Sequence, residues 1–236
     1  MNIVVIGGGP AGLYFAILAK KAWPHHSVDV YERNRSDDTF GFGVVFSDET
    51  LDQFRAYDEV TYQAITAEFA YWDEIDFVFH GETIRTAGHG FCGCGRVELL
   101  LILQRRCRDL GVEMHFEKDV TDPGRFRDAD LVVGADGINS QVRATYSEHF
   151  RPSFEMRRNR FIWLGSTKPY DAFTFDFTTN EHGIWVLGAY QYNNRMSTWV
   201  VEAPEATWAN AQSYVEHLGE AELLTYMEKL WSDKLD

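Results

Sequence analysis

A chain of 236 residues, 45% hydrophobic and 15% aromatic, is long enough to bury a substantial core as one large domain or two smaller ones. Its formal charge of −14 at pH 7 excludes the broad basic faces that bind nucleic acid or anionic membrane surfaces, while leaving room for a local arginine cluster around a small anion. No run approaches the ~20 apolar residues of a membrane span, and the chain opens on a strand instead of a basic and apolar leader, so the sequence predicts a cytoplasmic protein.

That opening strand, Ile3-Val4-Val5-Ile6, passes into Gly7-Gly8-Gly9-Pro10-Ala11-Gly12 and then into a helix-forming stretch, Leu13 to Ala22. A nucleotide pyrophosphate needs this order of strand, glycine turn and helix. Gly7 permits the tight turn, Gly9 lets the backbone approach the phosphates, and Gly12 lets helix and strand pack closely. The helix N-terminus adds free N–H groups and a partial positive charge. A second apolar run, Val28 to Tyr31, ends in Glu32, twenty residues past Gly12, where a carboxylate can accept hydrogen bonds from an adenosine ribose. A glycine-rich turn without a ligand is the alternative; the agreement of turn, helix and acid favours a bound dinucleotide.

Pro24 and His25-His26 fall in the turn between the helix and the second strand. After a polar loop, Arg33 to Thr39, the stretch Phe40-Gly41-Phe42-Gly43-Val44-Val45-Phe46 alternates glycine with bulky residues. That composition suits backbone lying against a flat ligand, and equally a plain glycine-rich loop. Ser47-Asp48-Glu49 begins a helix running toward Tyr57. Ile75, Phe77 and Phe79 alternate with polar residues, Gly81-Glu82 turns, and Thr83 to Thr86 returns. This hairpin, within 70–87, interrupts the α/β alternation and belongs to a second layer.

Gly88 to Gly95, with four glycines, reads as loop. A helix follows from Arg96 to about Leu110, with Val97, Leu100, Leu101, Leu103 and Cys107 on its apolar face and Gly111 as its stop. Val112 to Phe116 is a short strand and Asp122-Pro123-Gly124 a turn. Asp130 to Gly137 reads as a buried parallel strand ending in Asp136-Gly137, the kind of strand end where an open α/β sheet places ligands. Asn139 to Arg143 starts another helix. After Pro152 the pattern changes to aromatic-rich strands, 161–165, 172–177, 184–190 and 198–201, which suggest an antiparallel sheet. Helical stretches Ala206 to Leu218 and Ala221 to Trp231 close the chain. The predicted fold is therefore α/β: a Rossmann-like dinucleotide-binding domain over 1–150, whose 70–87 hairpin joins an antiparallel-sheet domain over 151–236.

Cys92, Cys94 and Cys107 do not match zinc spacing and read as reduced thiols. The histidines offer no metal-ligand pair, since His25-His26 are adjacent and point apart. No metal site is expected. His80, His89 and His182 stand as weak substrate-facing candidates against a structural role. The aromatic residues from Phe154 to Trp199 read first as sheet core and second as a ring-binding pocket.

Together, Gly7-x-Gly9-x-x-Gly12, Glu32, Arg96 opening a helix, and Asp136-Gly137-x-x-Ser140-x-x-Arg143 resemble the FAD-dependent aromatic hydroxylases, the single-component flavoprotein monooxygenases. The resemblance runs from Met1 along the whole chain, with two separated motifs in the family's order. Within the family, Tyr31-Glu32-Arg33-Asn34-Arg35, Gly41-Phe42-Gly43-Val44-Val45-Phe46-Ser47-Asp48 and His89-Gly90-Phe91-Cys92-Gly93 look like the branch that hydroxylates aromatic acyl-CoA thioesters such as salicylyl-CoA. Hydroxylases of indole-type, tryptophan-derived rings share much of the pattern.

The resemblance implies FAD as cofactor, NADH or NADPH as co-substrate, O2 as oxygen donor and a small aromatic substrate, without a catalytic triad or metal. It implies that Gly7, Gly9 and Gly12 contact the FAD pyrophosphate, Glu32 the ribose, Arg33 the adenine end and Arg96 the phosphate region. The backbone around Val45 would lie near the flavin, and Asp136 and Gly137 would serve both FAD and NAD(P)H, with Ser140 and Arg143 shaping their turn. Catalytic side chains stay unassigned. Arg151, Arg157, Arg158 and Arg160, four arginines in ten residues, are either contacts for acyl-CoA phosphates or a solvated linker.

One departure stands out: no Gly-Asp dipeptide occurs, although the family uses one after the substrate-domain sheet to hold the FAD ribityl chain. The resemblance therefore implies an incomplete substrate domain and a chain with weakened FAD binding. Two other classes stay open: a different dinucleotide enzyme, against which the second motif at Asp136 argues, and a non-catalytic nucleotide-binding fragment.

Overall fold

A computed structural model describes every residue except 40, 216–217 and 233–236, and the side chains of 212–215 are likewise left undescribed. Phe40 of the glycine-alternating stretch and residues 216–217 of the first closing helix thus lie outside the described residues. In chain order the elements begin with β1 (Asn2–Ile6), α1 (Pro10–Ala22), β2 (Ser27–Tyr31), β3 (Gly43–Ser47), α2 (Asp48–Tyr57) and α3 (Glu59–Thr66). Next come β4 (Ala70–Trp72), β5 (Ile75–Phe79), β6 (Glu82–Thr86), β7 (Phe91–Gly95) and α4 (Arg96–Asp109). They are followed by β8 (Glu113–His115), β9 (Leu131–Gly134), α5 (Gln141–Thr145) and α6 (Ser147–Phe150). The chain continues with β10 (Arg160–Ser166), β11 (Phe173–Asn180), β12 (Gly183–Gln191), β13 (Ser197–Ala203), α7 (Glu205–Val215) and α8 (Glu220–Leu230).

These elements form two compact units. The first comprises Met1–Phe40, Thr50–Glu68 and Arg96–Glu155, and the second Gly41–Glu49, Phe69–Gly95 and Met156–Asp236.

The first unit is built on a parallel sheet in the order β8-β2-β1-β9. Parallel neighbours cannot be joined by a tight hairpin, so α1 makes the crossover from β1 to β2. Ile3 to Ile6 are buried along β1, and α1 sets Leu13, Ala16, Ile17 and Ala19 inward. Pro10 occupies the helix start, where a missing N–H removes no hydrogen bond. Two expectations are corrected here. Strand β9 is not buried: Leu131 is 40% exposed, because β9 is a sheet edge paired with β1 alone among the described residues. The inward face of α4 is Leu99, Leu100, Ile102, Leu103, Gln104 and Cys107, while Val97 is exposed. Gln104 turns inward because its Nε2 donates to the Ser36 carbonyl at 2.8 Å.

The second unit carries a six-stranded sheet, β10-β13-β12-β11-β5-β6, and a three-stranded sheet, β3-β7-β4. The larger sheet is antiparallel except where β5 pairs with β11 in parallel, which is how the hairpin joins it. Helices α7 and α8 cover one face, closing a core of Trp185, Leu187, Trp199, Val201, Met227 and Trp231. Segment 41–49 belongs to this unit, not to the span 1–150 expected for the first domain. The cause is hydrogen bonding: the Gly43 N–H donates to Thr198 Oγ1 at 3.0 Å and the Tyr190 hydroxyl donates to the Gly43 carbonyl at 2.9 Å. The glycines of 88–95 do not all lie in a loop either. From Phe91 the chain is strand β7, and a Cβ at Gly93 would lie 2.8 Å from the Trp72 ring, so the missing side chain is what admits that ring.

Candidate cofactor-binding site

The glycine turn after β1 assigns a different task to each of three glycines. Gly7 has φ 110, a conformation open to glycine, and a Cβ there would overlap the Ala135 carbonyl beyond the end of β9. A Cβ at Gly12 would overlap the Gly7 carbonyl, so Gly12 sets how closely α1 seats on the turn. Gly9 is extended, with φ −74 and ψ 177, and an added Cβ would meet nothing within 4 Å. Steric demand at Gly7 and Gly12 comes from the protein itself; at Gly9 it can come only from something bound.

Gly9 faces a cavity of about 240 Å³ lined by Gly7 to Pro10, Glu32 to Arg35, Arg96, Lys118 to Val120, and Asp136-Gly137. The loops contributing most of this lining follow β1, β2, β8 and β9, so the cavity lies at the carboxyl edge of the parallel sheet. The first-turn N–H groups of Ala11 and Gly12 have no acceptor inside α1. No acid in that turn compensates the positive end of the helix. Such an end attracts an anion.

Glu32 does more than the sequence suggests. Its Oε2 accepts the Gly8 N–H at 2.7 Å and its Oε1 accepts the Asn34 N–H at 2.8 Å, tying the glycine turn to the end of β2. An ionised carboxylate offers about four acceptor positions, so two remain for hydroxyl donors. Arg96 heads α4, where the helix dipole opposes a cation. Its Nε donates to Thr39 Oγ1 at 3.1 Å, and it forms no ion pair among the described residues. Arg33 also lines the cavity, whereas Arg35 is held by both oxygens of Asp37.

Asp136 is occupied by its own turn. Its carboxylate accepts the Ser140 hydroxyl and the Gln141 N–H, each at 2.6 Å. Ser140 in turn caps α5 by accepting the Arg143 N–H, and the Arg143 guanidinium donates to the Ile138 carbonyl. Gly137, at φ 82, therefore presents backbone to the cavity while the Asp136 side chain braces it.

The structure thus gathers Gly7, Gly9, Glu32, Arg33, Arg96, Asp136 and Gly137 around one cavity. Gly12 is buried beneath the turn. Val45 lies in the second unit, on β3 opposite Gly93, packed with Trp72, Tyr190 and Tyr192. Sequence reasoning missed Asn34, Gln104, Lys118 and Val120. Lys118 and Val120 follow β8, and the strand-end rule applied to Val112 to Phe116 would have found them. A backbone zipper fixes that loop: Glu32 N–H donates to the His115 carbonyl at 2.9 Å and Lys118 N–H to the Glu32 carbonyl at 2.8 Å.

Other candidates take no part in this cavity. Arg151 falls in the first unit and Arg157, Arg158 and Arg160 in the second, where Arg158 pairs with Glu205 at 3.4 Å. His89 bonds Thr86, and His182 lies near Glu181 and the Tyr226 ring. All three cysteines are free and buried, and burial pushes the Cys92 and Cys107 thiols up to about 12, which keeps both from thiolate chemistry at neutral pH. Among the described residues no cluster of three or more His, Cys, Asp or Glu is placed to hold a metal, and no helix is long and apolar enough to cross a membrane.

Comparison with known proteins gives a consistent set of likenesses. The family of NAD(P)-binding Rossmann-like domains matches residues 5–48. Salicyloyl-CoA 5-hydroxylase from a Streptomyces species is 44% identical over 211 residues, 89% of this chain and 41% of that protein. Protodeoxyviolaceinate monooxygenase from Chromobacterium violaceum is 31% identical, over 100% of this chain and 63% of that protein. Among solved structures, the tetrameric form of 2-methyl-3-hydroxypyridine-5-carboxylic acid oxygenase superposes with a TM-score of 0.78 at 20% identity, covering 99% of this chain and 66% of that one. At that identity the likeness carries the fold alone. The chain spans between 41% and 66% of the length of these three proteins.

Proposed function

Since this chain belongs to the family of FAD-dependent aromatic monooxygenases, we propose that it binds FAD at the glycine turn and serves the hydroxylation of an aromatic ring with NADH or NADPH and O2. One observation carries the cofactor assignment: at a single sheet edge, the open space beside Gly9, the uncompensated N-terminus of α1 and Arg96, which forms no ion pair among the described residues, face the same cavity. We read the first unit as the FAD-binding domain and the second as the substrate domain. A cytoplasmic location fits three cysteines that are free and buried.

Bound FAD would supply the electron transfer and O2 activation, chemistry that side chains lack. The residues of this chain bind and orient. The N–H groups of Ala11 and Gly12 and the Arg96 guanidinium would hold the pyrophosphate, and the spare acceptor positions of Glu32 would take ribose hydroxyls. Arg33 would border the adenine end, and the Gly137 backbone would approach the dinucleotide.

An aromatic acyl-CoA is the substrate class we favour, supported by 44% identity to a salicyloyl-CoA hydroxylase. A tryptophan-derived, indole-type ring is the second reading, supported by 31% identity to protodeoxyviolaceinate monooxygenase. Reconstitution with FAD followed by visible absorbance tests the cofactor. Salicyloyl-CoA-stimulated oxidation of NADH or NADPH, with a product heavier by one oxygen atom, tests the reaction. Protein that stays colourless points to a non-catalytic nucleotide binder, and bound flavin without stimulation by either substrate class points to a different flavoenzyme.

A further inference from the structure

Helix α4 buries one polar side chain among its apolar ones. Gln104 is 1% exposed and stands in line with Leu100 and Arg96, four and eight residues back along one helix face, and all three line the cavity beside the glycine turn. A buried amide costs free energy unless it is bonded. The Ser36 carbonyl accepts from Gln104 Nε2 at 2.8 Å, and Arg108 Nη2 donates to Gln104 Oε1 at 3.4 Å.

The bond to Ser36 adds little to α4, which Leu99, Leu100, Ile102, Leu103 and Cys107 already seat. Its effect falls on residues 33–39, the irregular strap after β2 that carries Arg33 to the cavity. One end of the strap is fixed at Asn34, whose N–H donates to Glu32 Oε1 at 2.8 Å and whose carbonyl accepts the Glu117 N–H at 3.1 Å. The other end is fixed where Arg96 Nε meets Thr39 Oγ1. Between them, the Arg35–Asp37 pair and the bond from the Asp38 N–H to the Arg35 carbonyl stay inside the strap. Among the described residues, Gln104 is thus its one mid-span tie, and Ser36 is half-buried while 33–35 and 37–38 are exposed. Exposed backbone with so few anchors opens locally at little cost, so the tie decides how well the strap is ordered.

We propose that Gln104 is a positioning residue for the dinucleotide: by tying the strap to α4 it holds Arg33 at the adenosine end of the cavity. The proposal rests on the FAD reading above and deepens it by naming a residue that acts on cofactor affinity through another. A side chain placed before the ligand arrives loses less freedom on binding, so the tie raises affinity with no ligand contact of its own.

The test measures FAD affinity by flavin fluorescence and ADP affinity by displacement of FAD, for the wild type, Gln104→Leu, Arg33→Ala and the double variant, with melting temperatures alongside. Leucine is close to glutamine in size and suits an apolar surround, so Gln104→Leu should keep the wild-type melting temperature. FAD and ADP should both bind about fivefold more weakly, since the strap serves the half they share. In the Arg33→Ala background the same substitution should change neither affinity by more than about twofold, because no Arg33 is left to position. Unchanged affinities in Gln104→Leu overturn the role of Gln104 and leave the FAD reading standing. The full loss retained in the Arg33→Ala background overturns action through Arg33, and a loss for FAD without one for ADP overturns the adenosine end. If Gln104→Leu melts lower, Gln104→Met, unbranched and of similar length, takes its place; a lower melting temperature there too assigns Gln104 to the core and overturns the proposal. Wild-type protein that takes up no FAD overturns the FAD reading itself.

Discussion

Helix α4 carries arginines near both ends, and they answer to different things. Arg106, in the last turn, agrees in sign with the helix dipole and grips Asp58 with Nε and Nη2, both at 2.9 Å. Asp58 also accepts from Lys21 at 2.7 Å and from the Thr61 hydroxyl at 2.6 Å, and at 1% exposure it is sealed from water. Every partner there is inside the protein. Arg96, at the first turn, opposes the dipole, among the described residues bonds only Thr39, through Nε, and faces an open cavity. A polar group that the fold satisfies contributes to stability; one that the fold places against its own interest and leaves unsatisfied is there for a ligand. The same contrast separates Gly7 and Gly12, whose missing side chains make room for protein, from Gly9, whose missing side chain makes room for nothing in the chain.

The sharpest way to break that contrast is Gly9→Val. The residue is already extended and its Cβ direction is empty, so the variant should fold, with a loss of about 1 kcal/mol at most for valine in place of glycine at the N-cap of α1. The branched side chain would fill the space a pyrophosphate needs, and FAD affinity should fall about a thousandfold or more, roughly 4 kcal/mol. Stoichiometric flavin absorbance in purified Gly9→Val would contradict the assignment of the cavity.

The opposite break is Asp58→Ala, which strands Arg106 and Lys21 beside an apolar core. Removing one member of a buried charge cluster costs about 3 to 5 kcal/mol, read as a lower urea midpoint for the first unit. FAD affinity, measured under native conditions, should stay within about twofold, since Asp58 does not line the cavity. The effect has a pH signature. Burial raises the Asp58 carboxyl, but the hydrogen bonds from Arg106, Lys21 and Thr61 outweigh it and hold the group below the ordinary carboxylate range. A depressed folded-state value means stabilisation that is fully present above the unfolded value, near 4, and is lost as pH falls toward the folded one. The stability gap between wild type and Asp58→Ala should therefore be constant at neutral pH and narrow below about pH 4.

What the sequence disclosed follows the same division. The glycine turn was legible because its demands are local: strand, φ 110 at Gly7, helix and acid fall within thirty-odd residues. The strands of the second unit were legible from alternation, yet their inward face was not. Asp76 is buried against Arg85 while Phe79 is 51% exposed, since the face of a strand is decided by which side α7 and α8 cover. Strand β7 was hidden by its glycines, of which Gly93 makes room for Trp72 on the neighbouring strand. The Asp58 cluster joins residues 21, 58, 61 and 106, and no short-range pattern announces it. Helix α3, which Asp58 caps, went unread for the same reason: its Val60 and Thr61 are poor helix formers, and the cap with its buried partners fixes the helix.

Arg96→Ala probes the comparison at the residue that motivates it. Losing charge-assisted contacts to phosphate should lower FAD affinity by about 1.5 to 3 kcal/mol, roughly ten- to a hundredfold in a fluorescence titration. Stability should hold or rise slightly, because the substitution removes a cation from a helix N-terminus and introduces the best helix former. A fall in stability of the size expected for Asp58→Ala would show that Arg96 belongs with the satisfied groups after all.

The smallest effect is expected at Ser140, where the two kinds of group meet. Its hydroxyl caps α5 and also donates to Asp136, so the side chain serves the fold while the turn it braces serves the cavity. Ser140→Ala removes the cap but leaves the Gln141 N–H on Asp136 Oδ2, and the turn keeps its second anchor. A loss of about 1 kcal/mol in stability is therefore expected. FAD affinity should fall less than in Arg96→Ala, because Gly137 is loosened and no phosphate contact is deleted. If affinity falls further than in Arg96→Ala while stability is unchanged, Ser140 itself touches the ligand, and the Asp136 turn is a binding element in its side chains as well as in its backbone.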